Sequence, residues 1–223
     1  MELDPEEKRV VLVDGEDNAL GVEGVLASHA VGGLKHRAYT AILLDANDDI
    51  VLARRAPEKL LWPGYWDATV ASHPRPERGY AEEGQKRLVE ELGVTCDLFA
   101  CGRFDYDLTF LDVGTESEVC CTLVGQLGPE AVLKPEPGEV SEVRTLSLAA
   151  LLSEVQSDPE PYCPWAYLAF LCIRKYHAQL PRELAERFEL LLSADADAVL
   201  RRAIDAHFPE RTWRLLSDEA KSG

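Results

Sequence analysis

Residues Arg37 to Leu44 form a strand-prone apolar run that breaks at Asp45-Ala46-Asn47-Asp48-Asp49 and resumes at Ile50 to Arg54. Two strand-forming runs around a short polar, turn-forming segment read as an antiparallel hairpin. A lone hairpin is at best marginal in water, so the flanking chain must supply more strands or a covering helix. Arg9 to Val13 reads as a short strand ended by Asp14-Gly15, and residues 20–28 alternate before a loop at Gly32-Gly33. Trp66 to Ala71 reads as another strand, stopped at His73-Pro74.

The period then changes. Residues 79–92 set Ala81, Leu88 and Leu92 among charges with Gly93 just past the end, which predicts a helix with a glycine stop. Residues 97–110 and 116–127 alternate again as strands, joined through Asp112 to Thr115. Pro135 to Gly138 reads as a loop, Leu146 to Val155 as a short helix, and Pro164 to Tyr176 as an apolar helix. From Pro181 onward Leu184, Phe188 and Leu191 form one helical stripe and Leu200, Ile204 and Phe208 another. These predict a helical C-terminal extension, 177–223, on a domain spanning 1–176: a surface helical pair in the simplest reading, with a cover over the core, a lid or an oligomer contact as the alternatives. The order of elements predicts a mixed α/β (α+β) fold: a mixed sheet built on antiparallel hairpins and flanked by helices.

Charge narrows the partners. The 40 acids and 23 bases give a formal net charge of −17, a surface that repels phosphate backbones and anionic lipid. The expectation is a small-molecule partner, with no nucleic acid and no membrane span, acting as a monomer or homodimer. The longest apolar run, Ala166 to Ile173, is far short of a bilayer span. The start, Met-Glu-Leu-Asp-Pro-Glu-Glu-Lys, has the pattern of no secretory signal. Six cysteines at no disulfide-framework spacing, with no CxxC pair, predict reduced thiols in a cytoplasmic protein and argue against a zinc ribbon.

His29, His36 and His73 fall in the first third of the chain. Glu116 and Glu118, two apart on a predicted strand, leave the same face, and Glu91 closes the helix at 79–92. Imidazoles with carboxylates suit a divalent ion such as Mn²⁺, Zn²⁺ or Mg²⁺. Each residue alone is more often a satisfied core or solvated surface group than a ligand. Arg54, Arg55, Lys59, Lys86 and Arg87 are a local basic group on an acidic chain and suit diphosphate oxygens, though solvated helix and strand faces would look the same. Trp62, Trp66 and Trp165 read as core, or as walls for an apolar or cationic ligand.

The order of these blocks carries a resemblance. His29 and His36, then Arg54-Arg55-Ala56, Trp62-Pro63-Gly64-Tyr65-Trp66 and Ser72-His73-Pro74 are followed by Glu91-Leu92-Gly93, Phe104-Asp105-Tyr106, Glu116-Ser117-Glu118-Val119-Cys120 and Cys163-Pro164-Trp165. Across residues 9–176 this resembles type 1 isopentenyl-diphosphate isomerase, a Nudix-fold, metal-dependent family that interconverts isopentenyl and dimethylallyl diphosphate. The resemblance implies that His29, His36, His73, Glu116 and Glu118 hold one divalent ion, and that Glu91 helps hold a Mg²⁺ at the substrate diphosphate. It further implies diphosphate contacts at Arg55, Lys59 and Arg87, proton delivery to the alkene by Tyr106 and Glu118, and a cation-facing ring at Trp165. The residue types fit: protonating an unactivated alkene needs a positioned acid, a dry site and a π face for the tertiary cation.

One position departs from the family. Where the resemblance implies a catalytic cysteine two residues before the third histidine, this chain has Ala71. Four readings follow: isomerisation with Ser72, a water or the Cys120 thiol as second base; protonation-initiated cyclisation or isomerisation of a longer prenyl diphosphate; an inactive Cys-to-Ala variant; or a binder of prenyl diphosphate. A Nudix hydrolase fits less well. Glu90-Glu91-Leu92-Gly93-Val94 matches the tail of the hydrolase box, but Lys86 and Arg87 stand where its Arg-Glu pair belongs and Ser72 where its first glycine belongs.

Overall fold

The computed structural model describes residues 9–208, 210 and 212–216; the N-terminal octet read for a signal lies outside them. Strands β1 (Arg9–Val13) and β2 (Ala19–Gly24) form an antiparallel ribbon, followed by one helical turn, α1 (Val25–Ser28). The alternation read over 20–28 therefore stops at Gly24, and Ser28 Oγ donates back to the Gly24 carbonyl. The predicted hairpin is β3 (His36–Leu44) and β4 (Ile50–Arg55), with Asp45 Oδ1 accepting from the Asn47 and Asp49 amides across the turn. Short strands β5 (Trp66–Asp67) and β6 (Val70–Ser72) pair with β4 and β3.

Helix α2 (Tyr80–Leu92) ends where Gly93 adopts φ 67°, its amide bonded to the Val89 carbonyl at 3.1 Å. A Cβ on Gly84 would come within 2.7 Å of Leu98 and 2.9 Å of Leu123, so this glycine lets the helix lie close on the sheet. Strands β7 (Leu98–Phe110) and β8 (Gly114–Gln126) follow, then β9 (Val140–Leu146), which pairs with β4. Helix α3 (Leu148–Ser157) is capped by Ser147, whose hydroxyl accepts from the Ala150 amide. The apolar segment is α4 (Pro164–Tyr176), with every residue from Pro164 to Ile173 buried.

Most strand pairs are antiparallel, but β3 runs parallel to β8, so the sheet is mixed. One face packs on α4 through Ile42, Phe104, Tyr106 and Val124, and the other on α2 through Tyr39, Leu88 and Leu123. The tail differs from a surface helical pair. The segment carrying helices α5 (Arg182–Glu186) and α6 (Ala194–His207), with the turns beside them, buries Leu184, Phe188, Leu191, Leu200, Ile204 and Phe208 in the same cluster as α4. It is also not wholly helical: β10 (Trp213–Leu216) adds to the sheet on β7, setting Trp213 opposite Tyr106. The reason is edge pairing, since β7 offers unpaired backbone groups on the side away from β8. Among the described residues no helix is long and apolar enough to cross a membrane.

Candidate active site

Strand register assembles the site. Glu118 on β8 lies between His36, its partner on parallel β3, and Tyr106, its partner on antiparallel β7. The two-residue period puts Glu116 beside it on the same face. His73 follows β6, and His29 follows α1. The three imidazole rings gather with centroids 4.7, 4.9 and 5.0 Å apart.

Hydrogen bonds fix the rings. His29 Nδ1 lies 2.7 Å from the Val25 carbonyl and His36 Nδ1 2.7 Å from the Leu34 carbonyl, so each Nδ1 donates and each Nε2 faces inward. One ligand atom each from His29, His36, His73 and Glu118 lies within 4.8 Å of the others. Glu118 Oε1 is 3.0 Å from His73 Nε2 and 3.5 Å from His36 Nε2. Glu116 Oε2 is 3.0 Å from His29 Nε2, yet it and His36 Nε2 are buried without a partner in hydrogen-bond geometry. Converging nitrogen and oxygen donors left short of partners are what a divalent cation satisfies, so these residues fit an imidazole–carboxylate metal site.

Electrostatics agree. Burial opposes ionisation of Glu118, but hydrogen bonds and charge from His36 and His73 hold its carboxyl well below the usual range. Burial pushes Glu116 up, aided by the neighbouring Glu118. Burial pulls His29 down, but the bond and charge of Glu116 and the charge of Glu118 carry it up to about 9. His73 is pushed down to about 4, by burial first and by the other two imidazoles. Tyr106 is 1% exposed and donates its phenol proton to Glu118 Oε2 at 2.6 Å. Burial and then the charge of Glu118 push that phenol well above its ordinary value, so it keeps its proton.

These groups open onto a cavity of about 260 Å³. Trp165 lines it, with Trp62 packed edge-on 5.1 Å away. Arg55, Lys59, Lys86 and Arg87 bring positive charge to its wall. Lys59 and Arg87 both engage Glu139, and Arg87 also engages Glu91. Burial opposes ionisation of Glu139, but Lys59 and Arg87 hold its carboxyl below the usual range. Glu91 thus lies with the basic residues and apart from the histidine cluster; burial, outweighing Arg87, pushes its carboxyl up.

Other sequence candidates fall elsewhere. Arg54 is half exposed beside Glu142, and the Trp66 ring stacks 4.3 Å from the Arg144 guanidinium, outside the cavity. Ala71 lines the cavity and sits in register with Thr40 on β3. Cys120 shares the strand face of Glu118 but lies behind Thr40, whose hydroxyl is 3.3 Å from its sulfur, and burial pushes the thiol well up. Two residues of the site carry no sequence signal: Glu139, in the loop before β9, and Asp67, which bonds the Trp165 indole at 2.7 Å and Arg55 at 3.1 Å.

The chain is similar to known proteins of one family. The Nudix domain family matches residues 34–166. The isopentenyl-diphosphate Delta-isomerase of Haloarcula marismortui is 39% identical over 171 residues, 73% of this chain and 89% of that protein. An isopentenyl-diphosphate Delta-isomerase of Aromatoleum aromaticum is 33% identical over 159 residues, 71% of this chain and 88% of its own. Among solved structures, the DR0079 protein of Deinococcus radiodurans superposes with a TM-score of 0.57 at 20% identity, covering 74% of this chain and 98% of that one, a likeness of fold.

Proposed function

The chain belongs to the Nudix family and, within it, to the isopentenyl-diphosphate isomerases, and from that premise we propose that it interconverts isopentenyl and dimethylallyl diphosphate by protonating the carbon–carbon double bond. The observation that carries this reading is the junction at Glu118. One carboxylate meets the histidine cluster through Oε1 and the buried Tyr106 proton through Oε2, at the wall of one cavity with Trp165.

In this reading His29, His36, His73, Glu118 and the adjoining Glu116 hold a divalent ion, Mn²⁺, Zn²⁺ or Mg²⁺. When bound it supplies positive charge that steadies Glu118 and sets its protonation. Glu91 would help hold a Mg²⁺ brought in with the substrate diphosphate. Arg55, Lys59 and Arg87 bind and orient the diphosphate, so that binding energy far from the alkene places the reacting carbons. The Tyr106–Glu118 pair delivers the proton, and the walls of Trp165, Leu60 and Leu61 exclude water. The tertiary cation is held against the Trp165 face.

A cavity of about 260 Å³, just below the usual ligand-pocket range of about 300–1,000 Å³, favours a five-carbon substrate over the longer prenyl chains a cyclase would fold. Ala71 removes any acid or base from its own position. Cys120 is screened by Thr40, so the second proton transfer falls to Ser72 or to a water on the Ala71 side. Six cysteines at no disulfide-framework spacing support a cytoplasmic, reducing location. We assign residues 1–176 to the isomerase domain and residues 177–223 to an extension of the same domain. Incubation with isopentenyl diphosphate and Mg²⁺, followed by separation of the two diphosphates, tests the reading. Dimethylallyl diphosphate that disappears on chelation is expected; an unchanged substrate pool refutes it.

A further inference from the structure

Asp67 does not itself line the cavity, yet it joins two groups that do, Arg55 and Trp165. It is 4% exposed, on the two-residue strand β5. Its Oδ1 accepts the Trp165 indole N–H at 2.7 Å and the Ala68 amide at 2.7 Å. Its Oδ2 accepts from Arg55 Nη1 at 3.1 Å, and the Cys163 thiol also lies against it. Arg55 is anchored a second time, by Nε and Nη2 on the Leu61 carbonyl at 3.1 and 2.9 Å. Its guanidinium carbon sits 5.3 Å from the centre of the Trp165 ring.

This arrangement poses an electrostatic problem and resolves it. A guanidinium beside the aromatic wall opposes any second positive charge brought to that wall. A carboxylate within hydrogen-bond reach of both offsets the guanidinium. By accepting the indole proton it also draws electron density toward the ring and fixes the ring's tilt, which strengthens the face as a cation partner. We infer that Asp67 is a positioning residue, which locks Arg55 and Trp165 into one unit and makes the Trp165 face accept positive charge beside an arginine. The inference rests on the proposed alkene protonation for its kinetic consequence, but the locking itself does not.

Asp67→Asn keeps the size and one oxygen for the indole, while removing the charge and placing an amide donor against Arg55. The expected result is a kcat lowered about tenfold or more with KM changed less than about threefold, because the cation forms only during the reaction and Leu61 still holds Arg55. In a Trp165→Phe background the same substitution lowers kcat by less than about twofold, since the ring it acts through has lost its N–H. A purely structural role lowers the melting temperature without that split or that non-additivity. A D67N variant with kcat within about twofold of wild type, or a full tenfold loss persisting in W165F, overturns the inference. Emission separates the two levels of the argument: the Trp165 component, taken as wild type minus W165F, shifts in D67N if the carboxylate locks the indole. If the wild-type chain turns over no isopentenyl diphosphate, the proposed function fails. The same emission comparison then decides the positioning claim, an unshifted component overturning it; it also decides if W165F leaves no measurable turnover.

Discussion

Replacing Tyr106 by phenylalanine removes one oxygen from the centre of the site and little else. The ring packs among Phe104, Phe208 and Trp165, at centroid distances of 5.6, 6.1 and 6.4 Å, and phenylalanine keeps these contacts. What is lost is the 2.6 Å bond to Glu118 Oε2, a buried hydrogen bond to a charged group. Such bonds contribute about 1.5–3 kcal/mol. At about 1.4 kcal/mol per tenfold in rate, a bond that holds the proton being transferred predicts a loss of one to two orders of magnitude in kcat/KM, carried by kcat. Stability should fall by up to the same about 1.5–3 kcal/mol, because Glu118 Oε1 keeps His73 at 3.0 Å but Oε2 loses its partner; each 1 kcal/mol lost shifts the melting temperature by about 2–4 °C in a chain of this size. The assay is initial rates of dimethylallyl diphosphate formation across a substrate series, with thermal unfolding alongside. A Y106F enzyme with kcat within about threefold of wild type, or one that loses kcat/KM through KM alone, refutes the assignment of Tyr106 to proton delivery.

Metal uptake should release protons. His29, carried up to about 9, holds a proton at pH 7.5, whereas His73, pushed down to about 4, does not. Calorimetric titration of Mn²⁺ in buffers of different ionisation enthalpy should therefore show about one proton released per ion near pH 7.5, fading above pH 9; no release would contradict the inward His29 geometry. Apparent affinity should weaken as pH falls, since protons compete for the same lone pairs. Arg87→Gln should raise KM for isopentenyl diphosphate about tenfold with kcat nearly unchanged, by loss of a charged diphosphate contact; an unchanged KM would remove Arg87 from the binding group. Phe208→Ala, at a position 1% exposed, should cost about 3–5 kcal/mol in denaturant unfolding, and a cost under about 1 kcal/mol would separate the tail from the core.

The fold was legible where local chemistry decides. Gly93 ends α2, the Asp45–Asp49 turn closes the β3–β4 hairpin, and the apolar segment at Pro164 becomes α4. It was illegible where pairing is distant or one-sided. Strand β9 lies on β4 with only Val140 buried, so its sequence lacks alternation, and β10 pairs with a strand about a hundred residues earlier. The site shows the same division. A two-residue period puts Glu116, Glu118 and Cys120 on one strand face, but depth on that face is set by neighbours, and Thr40 screens Cys120. That His36 and Tyr106 flank Glu118 is a matter of register between strands, which no local window contains. Asp67 had no signal because its partners, Arg55 and Trp165, are 12 and 98 residues away.

The central claim is that a proton passes between this site and the prenyl double bond although position 71 is alanine. Proton NMR of the chain with isopentenyl diphosphate and Mg²⁺ in D₂O tests it most directly. The account predicts dimethylallyl diphosphate carrying deuterium, with exchange abolished by Glu118→Gln. Substrate recovered unchanged and without deuterium would contradict it.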